Sequence, residues 1–262
     1  MQARSVSAKS AAILAWGLGA FYAAASGVLL ALALPPYDVP LLGFVAFAPL
    51  LVAIWNASRY TALPYGLLAA ITAGCLLTGL PFTAQDNFDH LALVPFGVFG
   101  ALLSVVLMAA RRLGMSGGWA TALGVGAVGV LTEWVAARVD FPYTVALTLW
   151  RNPLLLWVAS WVGVWGLAFL VWAANTILAQ AWAQRRLTTS LKTLVAALLV
   201  LHALGWLQMS LDGAREQVRV AVLQSERALF PALIAEAKSQ GAQLIVVPEV
   251  SWDVRDAIHA AR

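Results

Sequence analysis

Seven apolar runs, at about residues 11–34, 41–56, 62–82, 91–110, 119–138, 154–182 and 193–210, are parted only by short polar links. A run of ~20 apolar residues matches a hydrocarbon core of ~30 Å. Lipid offers the backbone no water, so each run must satisfy its own N–H and C=O groups and is predicted to be helical. The second run is short, and the sixth is long enough to tilt or protrude. Soluble domains carry about 25% charged residues. This chain carries 11%, with 62% hydrophobic, and is predicted to be a membrane protein over most of its 262 residues.

Its charges are concentrated rather than spread. Residues 1–210 contain five acids, Asp38, Asp86, Asp89, Glu133 and Asp140, and residues 211–262 contain the other seven. The chain is therefore read as a transmembrane domain, 1–210, followed by part of a second domain, 211–262. The formal charge of +4 is not a nucleic-acid signal, because Lys and Arg stand in short clusters between apolar runs, where they set topology. With the N-terminus inside, the inner segments carry Arg4, Lys9, Arg59, Arg111, Arg112, Arg185, Arg186 and Lys192, and the outer loops carry Arg138 and Arg151. That asymmetry predicts a cytoplasmic N-terminus and, after seven crossings, a C-terminal segment outside. Ala11–Leu34, 24 residues, exceeds the ~7–15 apolar residues of a signal peptide and is predicted to be retained as the first span. Cys75 is the sole cysteine, which excludes an intramolecular disulfide and a thiolate metal cluster; no metal or cofactor is expected.

Within the spans, Gly66, Ala70, Gly74 and Thr78 recur every four residues, a face on which two helices can approach closely. Cys75 lies beside that face and is expected to be a small filler. A catalytic thiolate there needs a cationic partner, and the third run holds no Lys, Arg or His. Trp157, Trp161 and Trp165 are spaced by four, a pattern for packing or interfacial anchoring and, as the alternative, for lining an acyl groove. Glu133 falls fourteen residues, ~21 Å along a helix, after Trp119 and so near the outer interface. Two readings stand for it. One has it order the outer loop around Arg138 and Phe141-Pro142-Tyr143; the other makes it an ordinary interfacial acid. His202 is expected to be a hydrogen-bonded packing residue.

After residue 211 the period changes. Val218–Gln224 alternates as a strand does. Pro231–Gln240 reads as a helix with Pro in its first turn and Gly241 after it. Leu244–Val247 is a continuous apolar run, as in a buried parallel strand. Forty-five residues from Val218 make a marginal core by themselves, so this β-α-β unit is expected to open a larger domain.

The stretches VAVLQ and LIVVPE resemble the opening of the carbon–nitrogen hydrolase (nitrilase) family. Those at Leu30–Leu51, Thr132–Tyr143 and Val158–Asn175 are similar to the membrane part of its apolipoprotein N-acyltransferase branch. The resemblance implies a membrane all-α bundle of about seven transmembrane helices, then the opening β-α-β unit of an α/β nitrilase-type sandwich. It implies transfer of an acyl chain from a membrane phospholipid, through a thioester enzyme, to the N-terminal cysteine amine of a diacylglyceryl lipoprotein. It also implies residence in the bacterial inner membrane with the C-terminal part periplasmic. Glu249 takes the general-base position of a Glu-Lys-Cys triad, and Glu133, Phe141, Pro142 and Tyr143, with the outer loops Pro35–Pro40 and Phe141–Asn152, are expected at a lipid portal.

Departures are also visible. TGLPFTAQDNF replaces an aromatic-rich segment, Tyr143 stands where Trp is usual, and the segment linking the two strands is shorter. The triad's lysine and cysteine match no position: neither Lys192 nor Lys238 fits, and Cys75 is in a span. The chain is expected to be C-terminally shortened and not competent by itself. The alternatives are a non-catalytic relative, such as a conjugation-linked membrane protein, and a transporter; the latter predicts internal repeats and midplane charge, which the sequence lacks.

Overall fold

The computed structural model describes residues 2–79, 94–114, 116–138, 144–211, 218–222 and 230–246. Two compact units result, Met1–Met209 and Ser210–Arg262. The first contains α1 (Gln2–Ala33), α2 (Ala48–Asn56), α3 (Ala62–Thr78), α4 (Val94–Leu113), α5 (Trp119–Arg138), the four-residue α6 (Pro153–Leu156), α7 (Ala159–Gln184) and most of α8 (Thr189–Leu211). Five stretches are long and apolar enough to cross a membrane: Ile13–Ala33 and the whole of α4, α5, α7 and α8. Pro40–Asn56 and Ala62–Thr78 are shorter apolar segments. Large apolar side chains face outward on these helices, among them Leu14, Phe21, Trp161 and Leu199. A surface of that kind suits hydrocarbon, and the unit is a multi-pass membrane bundle.

The second apolar run is not one helix. Pro40–Phe44 forms a 3-10 helix, and α2 starts afresh at Ala48 with Pro49 in its first turn, where a missing N–H costs nothing. Before the sixth run, Val145–Leu149 is a 3-10 helix. The sixth run is also divided: α6 is one turn begun by Pro153, and α7 has a non-helical residue, Gly163, at φ 67° and ψ −176°. Only glycine adopts that conformation readily. The tryptophan row is broken accordingly: Trp157 and Trp161 meet edge to face at 5.3 Å before the break, and Trp165 follows it.

Small residues set the closest helix contacts. A side chain on Gly66 would collide with the Gly100 carbonyl and Ser104, and one on Gly74 with the Phe96 ring, so the predicted small-residue face of α3 is the one that meets α4. Gly129 similarly admits the Trp172 ring between α5 and α7. Polar bonds join the turns at one end of the bundle. The Trp55 Nε1–H donates to the Ala110 carbonyl at 2.9 Å, Arg111 to the Ile54 and Ala57 carbonyls, and Trp119 Nε1–H to the Thr193 hydroxyl. Arg111, Arg185, Arg186 and Lys192 thus share that end, while Asp38, Arg138 and Arg151 lie toward the other.

The second unit holds β1 (Val220–Val222), α9 (Phe230–Ser239) and β2 (Leu244–Val246). β1 and β2 pair in parallel with Val220 opposite Leu244 and Val222 opposite Val246. Ile234 and Ala237 of α9 pack on Ala221 and Ile245. The expectation of a buried second strand is corrected in part: Val220, Val222, Leu244 and Val246 are exposed. The reason is geometric, since side chains alternate across a strand and α9 covers one face only.

Candidate functional site

Two re-entrant turns, Pro35–Phe47 and Thr144–Asn152, meet α5 and α7 at the end of the bundle away from Arg185, and four polar connections hold them. Each rests on a side chain that would be costly in hydrocarbon if it lacked partners.

Glu133 is the first. It is 4% exposed near the C-terminal end of α5. Its Oε1 accepts the Trp172 Nε1–H at 2.8 Å and its Oε2 the Val145 N–H at 3.3 Å, with the Thr144 hydroxyl bonded alongside. The Val145 N–H is one of the unpaired donors at the start of the Val145–Leu149 helix, so the carboxylate acts as its cap; Thr144 Oγ1 takes the Ala146 N–H at 3.2 Å. The void beside Glu133 has a volume of about 10 Å³, room for about one water at most.

The second is Asn175, fully buried on α7. Its Oδ1 accepts the Phe47 N–H at 2.7 Å, and its Nδ2 donates to the Gly43 carbonyl at 2.8 Å and to the Val171 carbonyl at 2.9 Å. One amide so satisfies both the end of the Pro40–Phe44 helix and the start of α2. Phe47 also stacks on Trp172 at 4.5 Å, which links this connection to Glu133.

The third is Asp38, at φ 57°, a left-handed value that aspartate tolerates better than most residues. Its carboxylate accepts the Trp150 Nε1–H at 2.8 Å and pairs with Arg151 Nε at 3.1 Å. The two turns predicted to flank a portal are thereby tied to each other, and Gly43 lies so close to Thr148 that no side chain fits between them. The fourth joins α8: the Asn152 amide meets His202 Nε2 at 3.1 Å, while His202 Nδ1 lies 2.7 Å from the Leu198 carbonyl. His202 is a hydrogen-bonded packing residue, as its sequence context implied.

Of the residues singled out from sequence, Glu133 is in this corner. Phe141, Pro142, Tyr143 and Glu249 lie outside the described residues. Cys75 is half-buried on α3 and belongs to no cluster. Among the described residues no group of three His, Cys, Asp or Glu side chains could hold a metal. Sequence reasoning missed the roles of Asn175, Trp172 and Trp150. The available signal was a pair of amides, Asn175 and Gln180, in an apolar run, as unusual there as Glu133.

All of the corner except His202 falls inside the part of the chain that is similar to known proteins. The family description of the apolipoprotein N-acyltransferase N-terminal domain matches residues 26–177, from Ser26, whose hydroxyl caps α2 at Leu50 N, to just past Asn175. The chain is 32% identical to apolipoprotein N-acyltransferase 2 of Treponema pallidum (strain Nichols) in an alignment covering 60% of this chain. It spans 30% of the length of that relative.

Proposed function

The chain belongs to the apolipoprotein N-acyltransferase family, and from that premise we propose that it supplies the lipid-facing part and the general base of an acyl transfer from phospholipid to a diacylglyceryl lipoprotein. The observation that carries this reading is the family match over 26–177, which encloses the polar corner except His202. In the reaction, a thiolate attacks the ester carbonyl of a phospholipid acyl chain. The tetrahedral intermediate expels the lysophospholipid alkoxide, which takes up a proton. The lipoprotein's α-amine then attacks the thioester, the thiolate leaves, and the amine's proton passes to the base.

We assign that base to Glu249, which follows the second strand. The exposed apolar face of β1 and β2 supports reading this unit as the opening of a nitrilase-type sandwich, because a further layer would cover it. The paired turns at Pro35–Phe47 and Thr144–Asn152, with the adjoining Phe141, Pro142 and Tyr143, are the proposed portal for acyl chains. Seven segments crossing the bacterial inner membrane, with the corner and the second unit periplasmic, agree with the eight-to-two bias of basic residues.

A chimera joining this chain to the remaining C-terminal part of the Treponema pallidum relative tests the assignment. Labelled phospholipid and a diacylglyceryl peptide should give labelled triacyl product. Glu249→Gln should lower the rate about 10²–10⁴-fold with membrane insertion unchanged. If the rate stays within about threefold, well short of that range, Glu249 is not the base.

A further inference from the structure

An apolar groove of about 780 Å³ runs between α1, α2, α7 and the start of α8, from Val45 in the Pro35–Phe47 turn to the arginines at the end of α7. Phe21, Ala25, Leu29, Pro49, Leu178 and Trp182 line its length, and Arg185 and Arg186 close one end. Phe21 to Leu29 is eight residues of α1, or ~12 Å of groove. The Tyr22 and Trp182 rings meet edge to face at 5.6 Å, joining α1 to α7 within it.

The arginines are held by the way α7 ends. Arg185 N–H donates to the Trp182 carbonyl and Arg186 N–H to the Ala181 carbonyl, a helix-terminating pattern in which the left-handed position is normally glycine. Here that position is Arg185, at φ 51°. Arg186 Nε donates to Gln184 Oε1 at 3.0 Å, which orients its guanidinium. Neither arginine pairs with a carboxylate among the described residues. No Asp or Glu occurs between Asp140 and Asp212, and none occurs in α1 or α2. Lys192 and the N-terminal end of α8 add further positive potential four to seven residues on.

We propose that this groove holds an acyl chain of an anionic phospholipid whose phosphate sits against Arg185 and Arg186. Guanidinium forks match phosphate oxygens bidentately, and the apolar walls take a hydrocarbon chain at no polar cost. A headgroup with its own ammonium is disfavoured beside three cations without a nearby acid. The headgroup end of the site, at Arg185 and Arg186, lies at the end of the bundle away from the proposed portal, and the site does not rest on the proposed transfer reaction.

The test uses the full chain, purified and delipidated in detergent. Binding is read by native mass spectrometry and by the thermal unfolding midpoint, with phosphatidylglycerol, phosphatidylethanolamine of the same chains, and inorganic phosphate as separate probes. Phosphatidylglycerol should bind about tenfold or more tightly than phosphatidylethanolamine and raise the midpoint, while inorganic phosphate should not. Arg185→Gly with Arg186→Gln should weaken phosphatidylglycerol binding on the order of tenfold or more, from the loss of two cations near a headgroup. Because glycine suits φ 51°, Arg185→Gly alone should keep or raise the lipid-free midpoint while still weakening phosphatidylglycerol. Arg112→Gln, on an exposed turn away from the groove, should change neither. Equal binding of the two lipids, equal protection by inorganic phosphate, or undiminished phosphatidylglycerol binding in the arginine variants would each overturn the proposal.

Discussion

Asn175 and Glu133 are the side chains a hydrocarbon span should least tolerate, and each is tied to backbone that a helix cannot satisfy by itself. Hydrogen bonds inside membranes average about 0.6 kcal/mol and reach ~1.7, whereas a buried group left without a partner costs about 1–3. Asn175→Leu removes three bonds and orphans the Phe47 N–H, so we expect a loss of about 2–3 kcal/mol in reversible unfolding in mixed micelles. Asn56→Ala, which removes one bond to the Val52 carbonyl at a helix end, should cost less than about 0.5 kcal/mol. Glu133→Leu and Trp172→Phe should be coupled by about 1 kcal/mol in a double-mutant cycle, because Leu removes the acceptor and Phe the donor of the same 2.8 Å bond. Glu133 was legible in the sequence as an acid in an apolar run, but its partners were not. Trp172 and Val145 are distant from it along the chain, and nothing in an apolar stretch marks which indole or amide will face it. Asn175 went unrecognised because amides scattered among apolar residues have no spacing that marks which turn each will meet.

At the scale of elements, the length of the apolar runs marked where helices lie, while prolines and one glycine decided where they break. Pro40 stands just before the second apolar run and Pro49 within it, and the 3-10 helix followed by a nine-residue helix follows from their missing donors. The division of the sixth run at Gly163 was not legible, since glycine is common in membrane helices and reveals a positive φ only in three dimensions. The spacing on α3, by contrast, foretold its packing face. Gly66→Val should destabilise the α3–α4 pair by about 1–3 kcal/mol, because its side chain meets the Gly100 backbone, which cannot rotate away. Gly97→Ala on α4, where the added carbon meets nothing within 4 Å, should be neutral or stabilising by up to about 1 kcal/mol. Unfolding of the two variants under the same conditions separates packing from helix propensity.

For the whole molecule, the cations that the hydropathy pattern assigned to one side do gather at one end of the bundle, since Arg111, Arg185, Arg186 and Lys192 follow the same set of turns. Which membrane face that end meets is testable in a Cys75→Ala background. Cysteines at Tyr37 and Trp150, both exposed, should react with an impermeant maleimide added to intact cells or right-side-out vesicles. Cysteines at Ser58 and Ser116 should react only after permeabilisation. Reaction in the reverse order would invert the orientation and remove the physical basis for a periplasmic Glu249.

Among the residues of α8 only Leu194 and Gly205 are buried. The helix is attached by point contacts: Asn152 to His202, the Trp157 Nε1–H to the Leu201 carbonyl, and Trp119 to Thr193. A helix seated on so little surface has a shallow free-energy well for docking, so it should join the bundle last during biosynthesis and leave it first under stress. Its lateral partners then become exchangeable. In the crowded plane of a membrane, α8 is the flank of this protein on which neighbours compete for a place.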